Sequence, residues 1–203
     1  MFFMIFNGIP FEKLSYLKQY YSDPVNGIPE DSGVYYWVYW PDFNPNTISL
    51  QKLEDKLKEY SKKNLQFPEI LKGKYKFIAE IKEQRFDKNE APILGLSQGK
   101  KQKLLDHFST RKNIVDFHFF FKEICFARPF YIGKANNLRK RLVHSHFKSK
   151  SDILPELMGQ KINDSDIWIG YKLIPIQINS QMNVIFEEIL SRNLKPGLTK
   201  KPN

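Results

Sequence analysis

Hydrophobic positions along this chain switch between a period of about two and a period of about 3.6, and the switches mark its elements. The longest unbroken apolar run, Val34–Trp40, is dense in β-branched and aromatic residues and is stopped by Pro41. It predicts a buried strand. Leu50, Leu53, Leu57 and Tyr60 recur at helical spacing with charges between them, predicting an amphipathic helix of about 14 residues. Phe77, Ala79 and Ile81 alternate with Lys76, Glu80 and Lys82, predicting a strand over Tyr75–Phe86. A basic helix starts near Ser97, a candidate cap, and runs through Leu104 and Leu105 to Lys112. Ile114–Phe126 and Pro129–Ile132 read as aromatic strands, and Asn137 caps a basic helix reaching about Phe147. Ile167–Ile176 reads as a strand, and Met182–Leu194 as a helix ended by Pro196-Gly197. The N-terminal region predicts a helix over Glu12–Tyr21, then a stretch punctuated by Asp23-Pro24, Asn26-Gly27 and Pro29. Strands and helices do not alternate regularly, so the expected fold class is α+β, and the pattern disfavours a Rossmann-like or barrel domain.

Composition narrows the class. The 203 residues are 41% hydrophobic and 15% aromatic, enough for a single domain with a real core rather than a disordered chain. No apolar run approaches the ~20 residues that span a bilayer, so no membrane association is expected. Met1–Phe6 has no basic region and is too short for a signal peptide. Cys125 is the single cysteine, which excludes an internal disulfide and a multi-cysteine zinc site. A cytoplasmic location is expected, nucleoid-associated if the source is bacterial. Charge points to the partner: 32 Lys+Arg against 22 Asp+Glu give a net +10. A polyanion is favoured, because each neutralised phosphate releases counterions. Tyr131–Lys150 holds six basic residues and no acid, and Arg192–Asn203 holds four and no acid.

Three fragments carry a specific resemblance: Gly33-Val34-Tyr35, then Tyr131-Ile-Gly-Lys-Ala-Asn-Asn-Leu-Arg-Lys-Arg-Leu142, then Phe186-Glu-Glu-Ile-Leu-Ser-Arg-Asn-Leu-Lys-Pro196. In this order they resemble the GIY-YIG nuclease family, the second fragment being most like the nuclease module of the UvrC repair protein. The resemblance covers segments 31–40 and 129–199. It implies a small antiparallel or mixed sheet flanked by helices, with 41–128 as a long α/β insertion between the two motif strands. It further implies hydrolysis of phosphodiester bonds in double-stranded DNA with one divalent ion, Mg2+ or Mn2+. Tyr35 and Tyr131 match the two motif tyrosines, one of which acts as general base on the attacking water. Lys134 matches a lysine of the repair branch and Arg141 the essential arginine. Glu187 matches the metal-binding glutamate, with Glu188 as the alternative. The family's asparagine after the closing proline is replaced here by Thr199, and Asn203 is the nearest substitute.

These residue types suit the chemistry on physical grounds. A phosphodiester gains charge in its transition state, and a guanidinium meets it with a rigid, permanently charged fork. A divalent ion on one carboxylate would polarise the phosphoryl group. A phenol near pKa 10 is a poor base at neutral pH, and a nearby Lys134 would favour the phenolate. At about 100° per residue, Arg141 lies beside the stripe set by Leu138 and Leu142. Arg139 and Lys140 turn outward toward backbone phosphates. On the same wheel His144 falls about 60° from Arg141 and joins the candidate site, while His146 falls about 140° away. The two histidines project about 200° apart and cannot clasp one zinc ion.

The expected function is a metal-dependent DNA endonuclease. A restriction-type enzyme is the first reading, because a standalone nuclease must carry its own target recognition. The alternatives are a structure- or lesion-dependent nicking nuclease and an idle DNA-binding module. The insertion, with Lys100, Lys101 and Lys103 on its basic helix, is expected to pack beside the sheet and contribute DNA contacts, with a homodimer as a further expectation.

Overall fold

The computed structural model describes residues 4–24, 27–62, 70–72, 78–80, 93–94, 96–148, 153–174 and 184–190. They divide into two compact units. One comprises Met1–Asp42 with Phe120–Asn203, and the other Phe43–Phe119.

The first unit is built on a five-stranded antiparallel sheet flanked by helices, an α+β arrangement. Its strands are β1 (Met4–Phe6), β2 (Ile9–Lys13), β3 (Gly33–Tyr39), β6 (Tyr131–Ala135) and β7 (Ile167–Leu173), in the order β1-β2-β7-β3-β6. Every residue of β3 is buried, as its unbroken apolar run requires of a central strand. β3 is antiparallel to β6 on one side and β7 on the other, which aligns Tyr35 with Gly133 and with Tyr171. The sheet is wholly antiparallel, which resolves the antiparallel-or-mixed expectation.

The N-terminal reading is corrected. Residues 12 and 13 end β2, and the helix, α1, is only Leu14–Tyr20. A two-residue turn, Asn7-Gly8, joins β1 to β2 with both residues at positive φ (50° and 75°). Asn-Gly is the preferred pair for such a hairpin, because both residues tolerate the left-handed region. Leu14 and Leu17 of α1 are fully buried.

Helix α5 (Leu138–Lys140) follows β6 and continues as a π-helical turn over Arg141–Phe147. The Asn137 side chain accepts the Lys140 N–H at 2.8 Å, the cap expected from sequence. Helix α6 (Ile153–Gly159) has no counterpart in the sequence reading, and a further helical segment occupies 184–190. The remainder of the expected helix over Met182–Leu194 lies outside the described residues, as do Lys150, the basic tail Arg192–Asn203, Thr199 and Asn203. Ile167–Ile176 is strand only to Leu173.

The second unit holds α2 (Leu50–Lys62), the two-stranded antiparallel sheet of β4 (Ile70–Lys72) and β5 (Ile78–Glu80), and α3 (Gln98–His107). Ile78–Glu80 is strand within the expected Tyr75–Phe86, whose other residues lie outside the described set. Leu53 and Leu57 bury the apolar stripe of α2. Lys101 is turned toward α2 and pairs with Glu54 at 3.5 Å, whereas Lys100 and Lys103 are exposed. The hydrogen bond from Lys58, together with Lys101, holds the Glu54 carboxyl below its usual pKa.

The expected strand at Ile114–Phe126 is instead a helix, α4 (Arg111–Phe126), whose residues are shared between the two units. Its buried positions are Ile114, His118, Phe121, Cys125 and the terminal Phe126, the first four at a spacing of four, three and four. Phe119 and Phe120 are exposed, so aromatic density suggested a strand where burial follows a helical stripe. The Thr110 hydroxyl accepts the Asn113 N–H at 3.3 Å, which breaks the single expected basic helix into α3 and α4.

Candidate functional site

Tyr35, in the middle of β3, is completely buried. Its ring crosses over Gly133 of the neighbouring strand. A Cβ at Gly133 would lie 2.4 Å from both Cζ and Oη of Tyr35, far inside contact distance. The glycine of the second motif is therefore a passage through which the tyrosine of the first reaches the π-helical turn. Gly33 serves similarly: a Cβ there would come within 2.9 Å of Leu138 Cδ1, so its absence lets α5 settle on the strand.

Tyr35 Oη lies 2.8 Å from His146 Nε2 and receives Arg141 Nε at 3.3 Å. An arginine N–H can only donate. The phenol oxygen therefore accepts from Arg141, while the direction of its contact with His146 Nε2 follows the imidazole tautomer. Burial, reinforced by the Arg141 charge, lowers the His146 pKa to about 4, so the ring is neutral. Burial raises the Tyr35 pKa strongly, with Tyr131 adding to it and Arg141 opposing. Burial works against the charge of Arg141, but the Tyr35 and Tyr131 phenols outweigh it and its pKa is raised.

The Tyr131 ring is centred 5.9 Å from Tyr35 and 5.7 Å from His146, and Trp37 packs edge-on against both Tyr131 and His146. Tyr131 is half-buried and Arg141 is exposed, so the cluster opens at these two residues and is closed at Tyr35 and His146. Chemically it presents a fixed guanidinium fork beside a reachable phenol, with a neutral phenol–imidazole pair behind them.

α-Helical phase places His146 away from Arg141, and the winding explains the difference. The Lys148 N–H bonds to Val143 O at 2.9 Å, an i→i+5 connection. At roughly 80° per residue, such winding brings residue 146 to within about 40° of residue 141 and carries residue 144 to about 120°. His144 is accordingly exposed and lies with Lys140 and Lys148 in a separate groove, while His146 is 3% exposed. In the sequence the His144-Ser-His146 pair was visible; the extra residue per turn was not.

Lys134 and Glu187 form a second pair, Nζ to Oε2 3.4 Å. In the β3–β6 register Lys134 aligns with Val34 and so falls in the alternate set from Tyr131 and Gly133. The cation that bears on Tyr35 is Arg141 rather than Lys134. Glu187 and Glu188 are both partly buried on the helical segment 184–190. As a metal donor set, Glu187 suits an ion held by one carboxylate together with waters and substrate phosphate. Among the described residues no three His, Cys, Asp or Glu side chains converge on one ion. Arg139 is engaged by Glu30 at 2.6 Å and by Ile28 O at 2.7 Å, and Lys140 is exposed.

No helix among the described residues is long and apolar enough to cross a membrane. Compared with models of known families, with curated proteins and with solved structures, the chain matches none.

Proposed function

We propose that the protein is a divalent-metal-dependent DNA endonuclease of the GIY-YIG type. The observation that carries this reading is the cluster of Tyr35, Tyr131, Arg141 and His146, in which a buried phenol fixes an exposed guanidinium beside a second, reachable phenol. Arg141 binds the scissile phosphate through its terminal amino groups, its Nε being committed to Tyr35. Tyr131, acting as its phenolate, orients the attacking water and takes its proton to become the phenol. Tyr35 stays protonated and acts as a positioning residue, locked between His146 and Arg141. Glu187 would hold the divalent ion, which supplies positive charge to the phosphoryl oxygens. Lys134, its partner here, would release it for that purpose. The net charge of +10 suits a polyanionic substrate. Cutting of duplex at a sequence, as a restriction enzyme does, and nicking at a DNA structure both use this chemistry.

The test is incubation of supercoiled, linear and branched DNA with and without Mg2+ or Mn2+. Arg141→Ala and Tyr131→Phe are expected to lower cleavage about 10²–10³-fold with DNA affinity largely kept. Glu187→Ala is expected to abolish cleavage and Glu188→Ala to spare it; the reverse result moves the metal site by one residue. Near-parental turnover in Arg141→Ala overturns the nuclease reading. DNA binding without cleavage by the parent protein would support an idle binding module.

A further inference from the structure

Outside the tyrosine–arginine cluster, one concave surface combines cations with an aromatic plane. It is a groove of about 230 Å³ on the winding that carries Arg141, lined by Lys140, Val143, His144 and Lys148 and, from beyond α1, by Tyr21. Val143 is 2% exposed and gives the groove an apolar floor. Arg139 and Glu30 in its wall answer each other's charge at 2.6 Å. The Lys148 ammonium lies 5.3 Å over the Tyr21 ring.

An aromatic face, a small apolar floor and two ammonium groups together match a flat heterocycle joined to a phosphate. A base within a duplex offers only its edges to a protein, so a ring-face contact requires the base to be unpaired and unstacked. We propose that the groove binds one unpaired nucleotide of a DNA strand, with its base on Tyr21 and its phosphate on Lys140 and Lys148. The two contacts are coupled. A stacked base holds a tyrosine more strongly than an exposed cation over the same ring, so the base displaces Lys148 and frees it for the phosphate. An acidic peptide would use the same ammonium groups but has no use for the ring.

This inference rests on the nuclease reading for its position. The groove and the Arg141 fork share one helical winding, Lys140 of the groove being the residue before Arg141, so the unpaired nucleotide lies near the cut. The substrate is then DNA with a gap, flap or overhang near the cut, rather than continuous duplex.

The experiment measures binding by the full-length protein, in EDTA, to a fluorescent duplex bearing a single-stranded overhang and to the same duplex blunt-ended. The overhang is expected to bind about 5- to 150-fold more tightly, equivalent to ~1–3 kcal/mol at 1.4 kcal/mol per tenfold. In Tyr21→Leu that preference is expected to collapse to near one, and Tyr21→Phe is expected to restore it. Lys148→Gln should reduce the salt slope of overhang binding by about one. Equal affinity of the parent for both DNAs, an unchanged preference in Tyr21→Leu, or equally tight binding of poly-glutamate overturns the inference. The two readings fail separately. A Tyr21-dependent preference without metal-dependent cleavage removes the nuclease and leaves the groove. Cleavage indifferent to Tyr21 does the opposite.

Discussion

Gly133→Ala adds one methyl group to β6 at a point where Tyr35 leaves no room. The new Cβ would meet Tyr35 Cζ and Oη at 2.4 Å and Cε1 at 2.9 Å. Carbon atoms pack at about 3.5–4.0 Å, so the ring must retreat by about 1 Å. Such a shift stretches the 2.8 Å contact to His146 and the 3.3 Å contact from Arg141 beyond hydrogen-bonding range. Overpacking of this kind costs about 1–3 kcal/mol and the lost hydrogen bonding about 1 kcal/mol more. Removing a glycine from a strand returns about 0.5–1 kcal/mol. The expected net loss is about 2 kcal/mol, measured as a shift of the urea midpoint at constant slope. A double-mutant cycle isolates the cause. In a Tyr35→Leu background, where the ring is absent, Gly133→Ala is expected to stabilise by about 0.5–1 kcal/mol, leaving a coupling of about 3 kcal/mol between the two positions. In a Tyr35→Phe background the clash with the ring persists, and so should the penalty. Equal costs of Gly133→Ala in the parent and Tyr35→Leu proteins would falsify the view that this glycine exists to let the tyrosine through.

The remaining predictions concern charge. His146 is neutral in the fold down to about pH 4, whereas in the unfolded chain it protonates near 6.5. Its stabilisation is therefore complete above pH 6.5 and is lost as pH falls toward 4, about 2.5 kcal/mol by pH 4.5. His146→Gln should remove that part of the slope, seen by comparing urea midpoints at pH 7.5 and 4.5, and identical slopes would refute the assignment. Lys101→Glu places a second carboxylate against Glu54 and should cost about 1–2 kcal/mol in thermal unfolding, whereas Lys100→Glu and Lys103→Glu stay within about 0.5. If the segment around α3 contributes DNA contacts, these last two variants bind DNA more weakly at unchanged melting temperature; unchanged affinity rejects that role. Plotted as log K against log salt, DNA affinity should fall with a slope of several, and a flat line would point to a partner other than nucleic acid.

How legible each element was depended on whether its signal was local. β3 could be read because its seven consecutive apolar residues are β-branched or aromatic and end at Pro41, which suits a buried strand. Asn137 could be read because a cap involves only its own helix. The Asn7-Gly8 hairpin was equally local, but the helix inferred from Glu12 onward masked it. The aromatic run of α4 misled because Phe119 and Phe120, exposed in the fold, mimic a strand's continuous apolar surface when burial is unknown.

By itself, the sequence determined the α+β class, the central strand, the basic character and the identity of three members of the cluster, Tyr35, Tyr131 and Arg141. The first three follow from residue type and short-range order, and the last from the resemblance that the three sequence fragments carry. Only the tertiary structure decided which histidine joins them, because one extra residue per helical turn rotates His146 inward and His144 outward without altering any local preference. Tertiary packing likewise decided that Tyr35 is the buried phenol and Tyr131 the reachable one. It turned Lys134 to Glu187 and left Arg141 as the cation at the phenols. The physical reason is common to these cases. Burial and pairing are properties of surroundings assembled from distant parts of the chain, and a side chain's protonation and role follow from those surroundings rather than from its neighbours in sequence.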